Sequence, residues 1–323
     1  MKALRFAKFG PLAEALRMEA LPDPQPGQNE ILVKVMAAAI NPSDTKNIQG
    51  KMDGTTLPRT PGRDFAGVVV SGPPNLIGRE VWGSGGDIGF TRDGAHAERI
   101  VVPQDGVALK PAKLTMAEAA SVGTNYITAY LGLIEIAKVK AGEWVLVTGA
   151  TGGVGSSVIQ LAKWRGARVI GVDRGGRNER FISDYNVDFM LEADTAFPAQ
   201  VKEITGGHGA DIAYDCVGGP LFESCLQSLG HMGRQINITS VGTRRVSFDL
   251  LDFYHHRLAL FGVDSRAYDT AACARILEQF APGFESGQLR SPHIAETVSL
   301  DKFADAYQKV DSGSAGGKVV FTF

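Results

Sequence analysis

The chain has 323 residues, with 33 Lys and Arg against 35 Asp and Glu and a formal net charge of −2. That length suits two hydrophobic cores better than one, and the near-balanced charge offers no basic footprint for nucleic acid or a membrane surface. Hydrophobic residues at 44% and charged residues at 21% exclude a disordered chain and fit a soluble globular protein.

In chain order, the first third reads as short strands punctuated by Gly and Pro. Glu30–Met36 follows the turn-rich stretch Pro22-Asp-Pro-Gln-Pro-Gly27, and Phe65–Val70 is a second strand. Glu80–Trp82 and Ala97–Val102 flank a Gly-rich loop over 83–94. This pattern predicts a small antiparallel barrel or sandwich. Near residue 111 the character changes. Thr115-Met-Ala-Glu118 forms a capping box, and helical spacing continues from Tyr126 to Ala137. Strands are then expected at 143–148, 167–172, 187–191, 211–215, 234–238 and 258–263, with helices at 153–165, 177–185, 197–204, 220–229 and 249–256. Six strands with intervening helices predict a doubly wound parallel sheet with right-handed crossovers. A helix over Ala271–Gly283, an extended stretch, a helix over Leu300–Val310 and a strand over Gly317–Phe323 complete the chain. A complete six-stranded sheet has no place for that last strand, so it is expected to return to the first domain. The expected division is 1–120 with 265–323, and 121–264.

Cys216, Cys225 and Cys273 are too few and too scattered for a disulfide framework, which suits a reducing, cytoplasmic setting. Met1–Phe6 lacks the apolar stretch of a signal peptide. The longest apolar run, Ile31–Ile40, is interrupted by Lys34 and is too short to span a bilayer.

The most informative stretch is Val145-Leu-Val-Thr-Gly-Ala-Thr-Gly-Gly-Val-Gly155. An apolar strand turns on Gly149, Gly152, Gly153 and Gly155 into a helix that continues with Val158-Ile-Gln-Leu-Ala162. Free N–H groups and the positive end of a helix dipole then meet at one point, which suits a pyrophosphate. Asp173 ends the next strand about 20 residues past the glycines, where a ribose-binding acid belongs.

Asn41-Pro-Ser-Asp44, Pro61-Gly-Arg-Asp-Phe-Ala-Gly67, Gly123–Tyr130, Gly149–Gly155, Asp215-Cys-Val-Gly-Gly219 and Gly317-Lys-Val-Val320 occur in this order. With them the chain resembles the zinc-independent quinone oxidoreductase and enone reductase branch of the medium-chain dehydrogenases/reductases over essentially its whole length. The resemblance implies an α/β protein, with a GroES-like β-barrel catalytic domain, a Rossmann doubly wound parallel sheet, and a nicotinamide bound in the cleft between them. It assigns Gly149, Ala150, Thr151, Gly152, Gly153, Val154, Gly155, Thr124, Asp173, Arg174, Arg177, Ser240, Gly262 and Lys318 to the cofactor. Asn41, Asp44, Lys46 and Tyr126 become candidate catalytic residues; solvated-loop and core-packing roles compete for Lys46 and Tyr126. Zinc-dependent relatives carry a Cys, a Gly-His-Glu and another Cys where this chain has Asn41, Gly62-Arg63-Asp64 and Thr124. A His/Cys ligand set is missing, residues 83–110 hold no Cys, and His96 stands alone in that loop, so no zinc is expected.

Without a metal to stabilise an alkoxide, the acceptor must spread its own developing charge. A small-molecule α,β-unsaturated carbonyl or quinone does so, with NADH or NADPH as hydride source. Asp173 disfavours a 2′-phosphate while Arg174 and Arg177 invite one, which leaves a lean toward NADH. The alternatives are a catalytically idle, crystallin-like NAD(P)-binding protein and a metal-free alcohol dehydrogenase. The apolar edge Leu258–Val263 points to a homodimer.

Overall fold

A computed structural model describes residues 1–175 and 178–323. The chain forms two compact units, residues 1–127 with 265–323, and residues 128–264. The first unit begins with an antiparallel pair, β1 (Lys2–Phe6) and β2 (Leu16–Ala20). It continues with β3 (Glu30–Ile40), β4 (Asp64–Ser71), β5 (Glu80–Gly83), β6 (Arg99–Pro103) and β7 (Ala108–Leu109). Alternate residues of β3, namely Ile31, Val33 and Val35, point into one core with Phe65, Val69, Val81, Ile100 and Val102, the period-2 burial of a strand with one face inward.

The second unit holds β8 (Trp144–Thr148), β9 (Arg168–Asp173), β10 (Phe189–Glu192), β11 (Ala210–Asp215), β12 (Leu229–Asn237) and β13 (Ala259–Gly262). They form one sheet in the order β10-β9-β8-β11-β12-β13, with every pairing parallel. All five residues of β8 are buried, as a central parallel strand covered on both faces requires. The connecting helices are Gly153–Trp164, Glu179–Tyr185, Phe197–Ile204, Phe222–Gln227 and Leu250–His255.

The chain then returns to the first unit with β14 (Ile294–Ser299) and β15 (Lys318–Thr322). β15 pairs parallel with β14 and antiparallel with β3. The last strand thus belongs to the first unit's seven-stranded sheet, as its lack of a place in the parallel sheet required. Its register opposes Val319 to Ile40, which brings Lys318 beside Asn41.

Several elements carry no periodic signal in the sequence. The pair β1–β2 and the strand β14 are short edges, and the helix Pro42–Ile48 is mostly polar. Wider π-type winding over Leu131–Ile136 follows the long helix Met116–Tyr130. Gly132 lies there, and a Cβ on it would come within 2.5 Å of the Tyr214 ring and hydroxyl. Among the described residues, no helix is long and apolar enough to cross a membrane.

Candidate active site

In the first unit, Asn41 caps the helix Pro42–Ile48. It leaves β3 in an extended conformation, and Pro42 then presets the first helical turn. The backbone N–H of Asn41 donates to Asp44 Oδ2 at 2.8 Å, one half of a capping box. The Asn41 side chain faces two neighbours of opposite charge. Its Nδ2 donates to Asp64 Oδ2 at 2.9 Å, and its Oδ1 accepts from Lys318 Nζ at 2.6 Å. Lys318 also donates to the Ile40 carbonyl at 3.3 Å. The other oxygen of Asp64 accepts from Thr124 twice, from the backbone N–H at 2.9 Å and from Oγ1 at 2.8 Å. Asp64 has no exposed surface, and Asn41, Asp44 and Lys318 are buried with it.

Neighbouring groups close the cluster. Gly62 has φ +98°, and a Cβ there would lie 2.5 Å from the His96 ring, so glycine lets the Gly62–Asp64 segment lie on that imidazole. His96 Nδ1 pairs with the Tyr307 hydroxyl at 2.6 Å and Nε2 with the Ala39 carbonyl at 3.2 Å. Burial pulls its pKa from 6.5 down to about 4, so it is a neutral core histidine. Arg63 is buried too, donating through Nε to the Gly85 carbonyl at 3.0 Å and reaching Ser265 at 3.4 Å. Among the described residues, no three His, Cys, Asp or Glu side chains meet in a group that could hold a metal.

In the second unit, Gly149 at φ +60° turns the chain at the end of β8, and Gly152 precedes the helix Gly153–Trp164. A Cβ on Gly155 would lie 2.2 Å from the Gly149 carbonyl oxygen, so only glycine allows the helix to start that close to the strand. The first N–H groups of a helix lack intrahelical acceptors and here gather at residues 153–155, while the Gly152 N–H closes the turn on the Gly149 carbonyl at 3.0 Å. Asp173 ends β9 and holds this turn. Its Oδ2 accepts from Thr151 N–H at 2.8 Å and Thr151 Oγ1 at 2.6 Å, while Oδ1 accepts from Arg174 N–H at 2.8 Å. Asp215, at the end of β11, braces the adjacent loop by accepting from Thr148 Oγ1 at 2.6 Å, Val217 N–H at 3.0 Å and Gly218 N–H at 2.8 Å.

Of the candidate residues, Asn41, Asp44, Thr124 and Lys318 thus share one network. Residues 149–155, Asp173 and Arg174 share the turn, with the Arg174 side chain exposed. Lys46 is exposed on the last turn of its helix. Tyr126 packs between Phe280 and Phe284, at centroid distances of 5.4 and 5.3 Å, and donates to the Arg290 carbonyl at 2.6 Å. This places it in the aromatic core and outside the Asn41 network. Ser240 is exposed, its hydroxyl on the Thr243 carbonyl, and Gly262 ends the edge strand β13. Arg177 lies outside the described residues. Asp64, the carboxylate on which Asn41 and Thr124 converge, is not among the candidate site residues and stands in the sequence only within the Pro61–Gly67 anchor and as the counterpart of a zinc ligand. A charged residue opening the apolar run Phe65–Val70 was the available signal.

Residues 27–112 match the family described as Alcohol dehydrogenase GroES-like domain, and residues 153–280 the one described as Zinc-binding dehydrogenase. A zinc-type alcohol dehydrogenase-like protein of Schizosaccharomyces pombe is 36% identical over 317 residues, covering 96% of this chain and 94% of that one. Human quinone oxidoreductase is 30% identical over 327 residues, covering 99% and 97%. The chain belongs to the medium-chain dehydrogenase/reductase superfamily. Within this oxidoreductase superfamily it joins the quinone oxidoreductase branch. The two units of this medium-chain dehydrogenase/reductase are a GroES-like domain and a Rossmann domain. A 2-methylene-furan-3-one reductase of Solanum lycopersicum is 32% identical, covering 99% of this chain and 78% of that one. The mycobacterial protein Rv1454c, solved as a complex with NADPH, superposes with a TM-score of 0.86 at 25% identity, covering 100% of both chains.

The buried Asp44 carboxyl makes the stability of the protein depend on pH. Burial, reinforced by Asp64, pushes Asp44 from 3.8 up to about 7, against the opposing pull of the Asn41 N–H, Arg63 and Lys318. A pKa raised on folding favours the folded state below 3.8, and that benefit is lost as pH rises through about 7. His96 has the opposite sign, costing stability as pH falls from 6.5 toward 4. The His96 contribution cancels when Asp44→Asn is compared with the wild type. Between pH 5 and 8 the variant should gain about 3 kcal/mol relative to the wild type, read by denaturant unfolding at both pH values. A pH-independent difference would rule out a protonated Asp44 in the folded protein.

Proposed function

We propose that the protein is a zinc-independent, NAD(P)H-dependent reductase that delivers hydride to the activated C=C bond of an α,β-unsaturated carbonyl or to a quinone. One observation carries the reading. The positions that hold metal ligands in zinc-dependent relatives hold Asn41, Arg63-Asp64 and Thr124, and Asn41 and Thr124 both donate to Asp64. Both oxygens of Asp64 are engaged by these donors.

The Rossmann unit would hold the cofactor. The glycine turn fits a pyrophosphate because the Gly155 position admits no Cβ and the helix N–H groups converge there. When bound, the nicotinamide supplies the hydride. The first unit orients the acceptor and stabilises its oxygen. An amide nitrogen carries two hydrogens. Asn41 gives one to Asp64 and offers the second to the carbonyl oxygen, where negative charge grows as the enolate or hydroquinone anion forms. Thr124 Oγ1 donates to Asp64 and keeps its lone pairs for an amide N–H, such as the nicotinamide carboxamide.

Purified protein should oxidise NADH or NADPH with 2-cyclohexenone or 1,4-benzoquinone, at a rate unchanged within about twofold after dialysis against a strong chelator. Activity lost on chelation and restored by zinc would overturn the reading, as would failure with every enone and quinone. Turnover of simple alcohols with NAD⁺ in preference to these acceptors would favour the metal-free alcohol dehydrogenase instead.

NADH is the better fit, because the Asp173 carboxylate ends β9 beside the turn. A 2′-phosphate there would face a like charge. Asp173→Ser should move the NADH/NADPH ratio of kcat/KM at least tenfold toward NADPH, whereas an unchanged ratio would remove Asp173 from cofactor choice.

A second copy of the chain is the proposed partner. β13 is the edge of the parallel sheet, and Leu250, Leu251, Tyr254 and Phe261 lie exposed on the same unit. Unpaired edge groups beside apolar side chains suit two-fold pairing. Light scattering at micromolar concentration should give twice the monomer mass of 34.4 kDa, and a monomer there would refute the pairing.

A further inference from the structure

The Asn41 side chain stands between a donor-only group and an acceptor-only group. Lys318 Nζ, which can only donate, lies 2.6 Å from Oδ1, and Asp64, which as a carboxylate can only accept, lies 2.9 Å from Nδ2. The two ends of a carboxamide have nearly the same shape, so packing alone does not choose between its two flipped orientations. Here the neighbours choose. Turned over, the amide would set its oxygen against Asp64 and its N–H groups against the ammonium, losing both hydrogen bonds and gaining two repulsive contacts. The strand register fixes the lysine, since β15 opposes Val319 to Ile40 and Lys318 N–H donates to the His293 carbonyl at 2.8 Å. Only 7% of Lys318 is exposed, so the ammonium has no path to swing into water.

We propose that Lys318 is a positioning residue that acts through Asn41, locking the amide so that its second Nδ2–H faces the carbonyl oxygen of the acceptor. The role rests on the reading of Asn41 given above and differs from that of a direct cofactor ligand. The ammonium brings positive charge beside Asn41, a position where zinc-dependent relatives carry a metal ligand. Burial lowers the Lys318 pKa, while Asp64 and Asp44 oppose that shift and favour the charged form.

A double-mutant cycle on the full chain tests the role, using the acceptor that the wild type turns over. Lys318→Met should lower kcat at least tenfold, with the dissociation constant of the reduced cofactor, read by fluorescence titration, unchanged within twofold. In an Asn41→Ala background the same substitution should change kcat by less than twofold. Lys318→Gln keeps a donor for Oδ1 without the charge and should recover most of kcat; it also serves in the cycle if the methionine variant does not fold. Independent, multiplicative losses would overturn the role. So would an unchanged kcat, or a weakened cofactor with kcat intact. If the wild type reduces no enone or quinone, the reading under Proposed function fails, and amide NMR decides the lysine separately. Asn41 Nδ2–H resonances that are sharp in the wild type and exchange-broadened in Lys318→Met would support the lock, and identical resonances would overturn it.

Discussion

The first unit depends on the solvation of one carboxylate. Asp64 has no contact with water, and an ion placed there is tolerable only where hydrogen bonds and nearby cations replace its hydration shell. Three donors do so: the Asn41 amide, the Thr124 N–H and the Thr124 hydroxyl. They come from the cap of one helix and the body of another, while Asp64 itself opens β4 opposite Ala39 of β3. Satisfying this single charge therefore fixes the relative placement of two helices and a strand pair. Half-satisfied buried networks are worse than apolar packing, which makes the arrangement close to all-or-none. Loss of any one donor exposes the remaining groups to the full desolvation penalty.

The same network explains which parts of the molecule could be read in advance. The Rossmann unit was legible because its signals are local. Val145, Leu146 and Val147 form a buried apolar run, the glycines follow at once, and each crossover helix lies between strands consecutive in the sequence. The polar cluster is the reverse case. Lys318 and Asn41 are 277 positions apart, and only the β3–β15 register brings them together. Asp64 could be recognised as the replacement of a metal ligand, but nothing near it in sequence reveals that Thr124 and Asn41 converge on it. Tyr126 shows a third kind of blindness. Its place on a helix suits either a pocket or a core, and the residues that settle its surroundings, Phe280, Phe284 and Arg290, lie more than 150 positions downstream. The helix Pro42–Ile48 escaped notice because capping, rather than an apolar stripe, sets its start.

Neutral His96 and the glycine at position 62 illustrate how the cluster is insulated. The imidazole fills the space under the Gly62–Asp64 turn and bonds to Tyr307 and the Ala39 carbonyl. It thereby satisfies a backbone oxygen of β3 without adding a charge beside Asp64. A charged group in its place would disturb the balance between the two buried acids and the two buried cations, Arg63 and Lys318.

Asp173 is tied to Thr151 through two hydrogen bonds and to the Arg174 backbone through a third. One side chain thus holds the glycine turn in shape and, on the proposed reading, would also decide which ribose is welcome. The two duties cannot be altered separately by changing that residue alone. A lineage moving from one cofactor to the other would have to pass through a loosened turn, unless a second change at or near Thr151 came first. On that reading cofactor preference would be guarded by folding as well as by recognition, and a compensating substitution would be the trace left by any ancestor that crossed over.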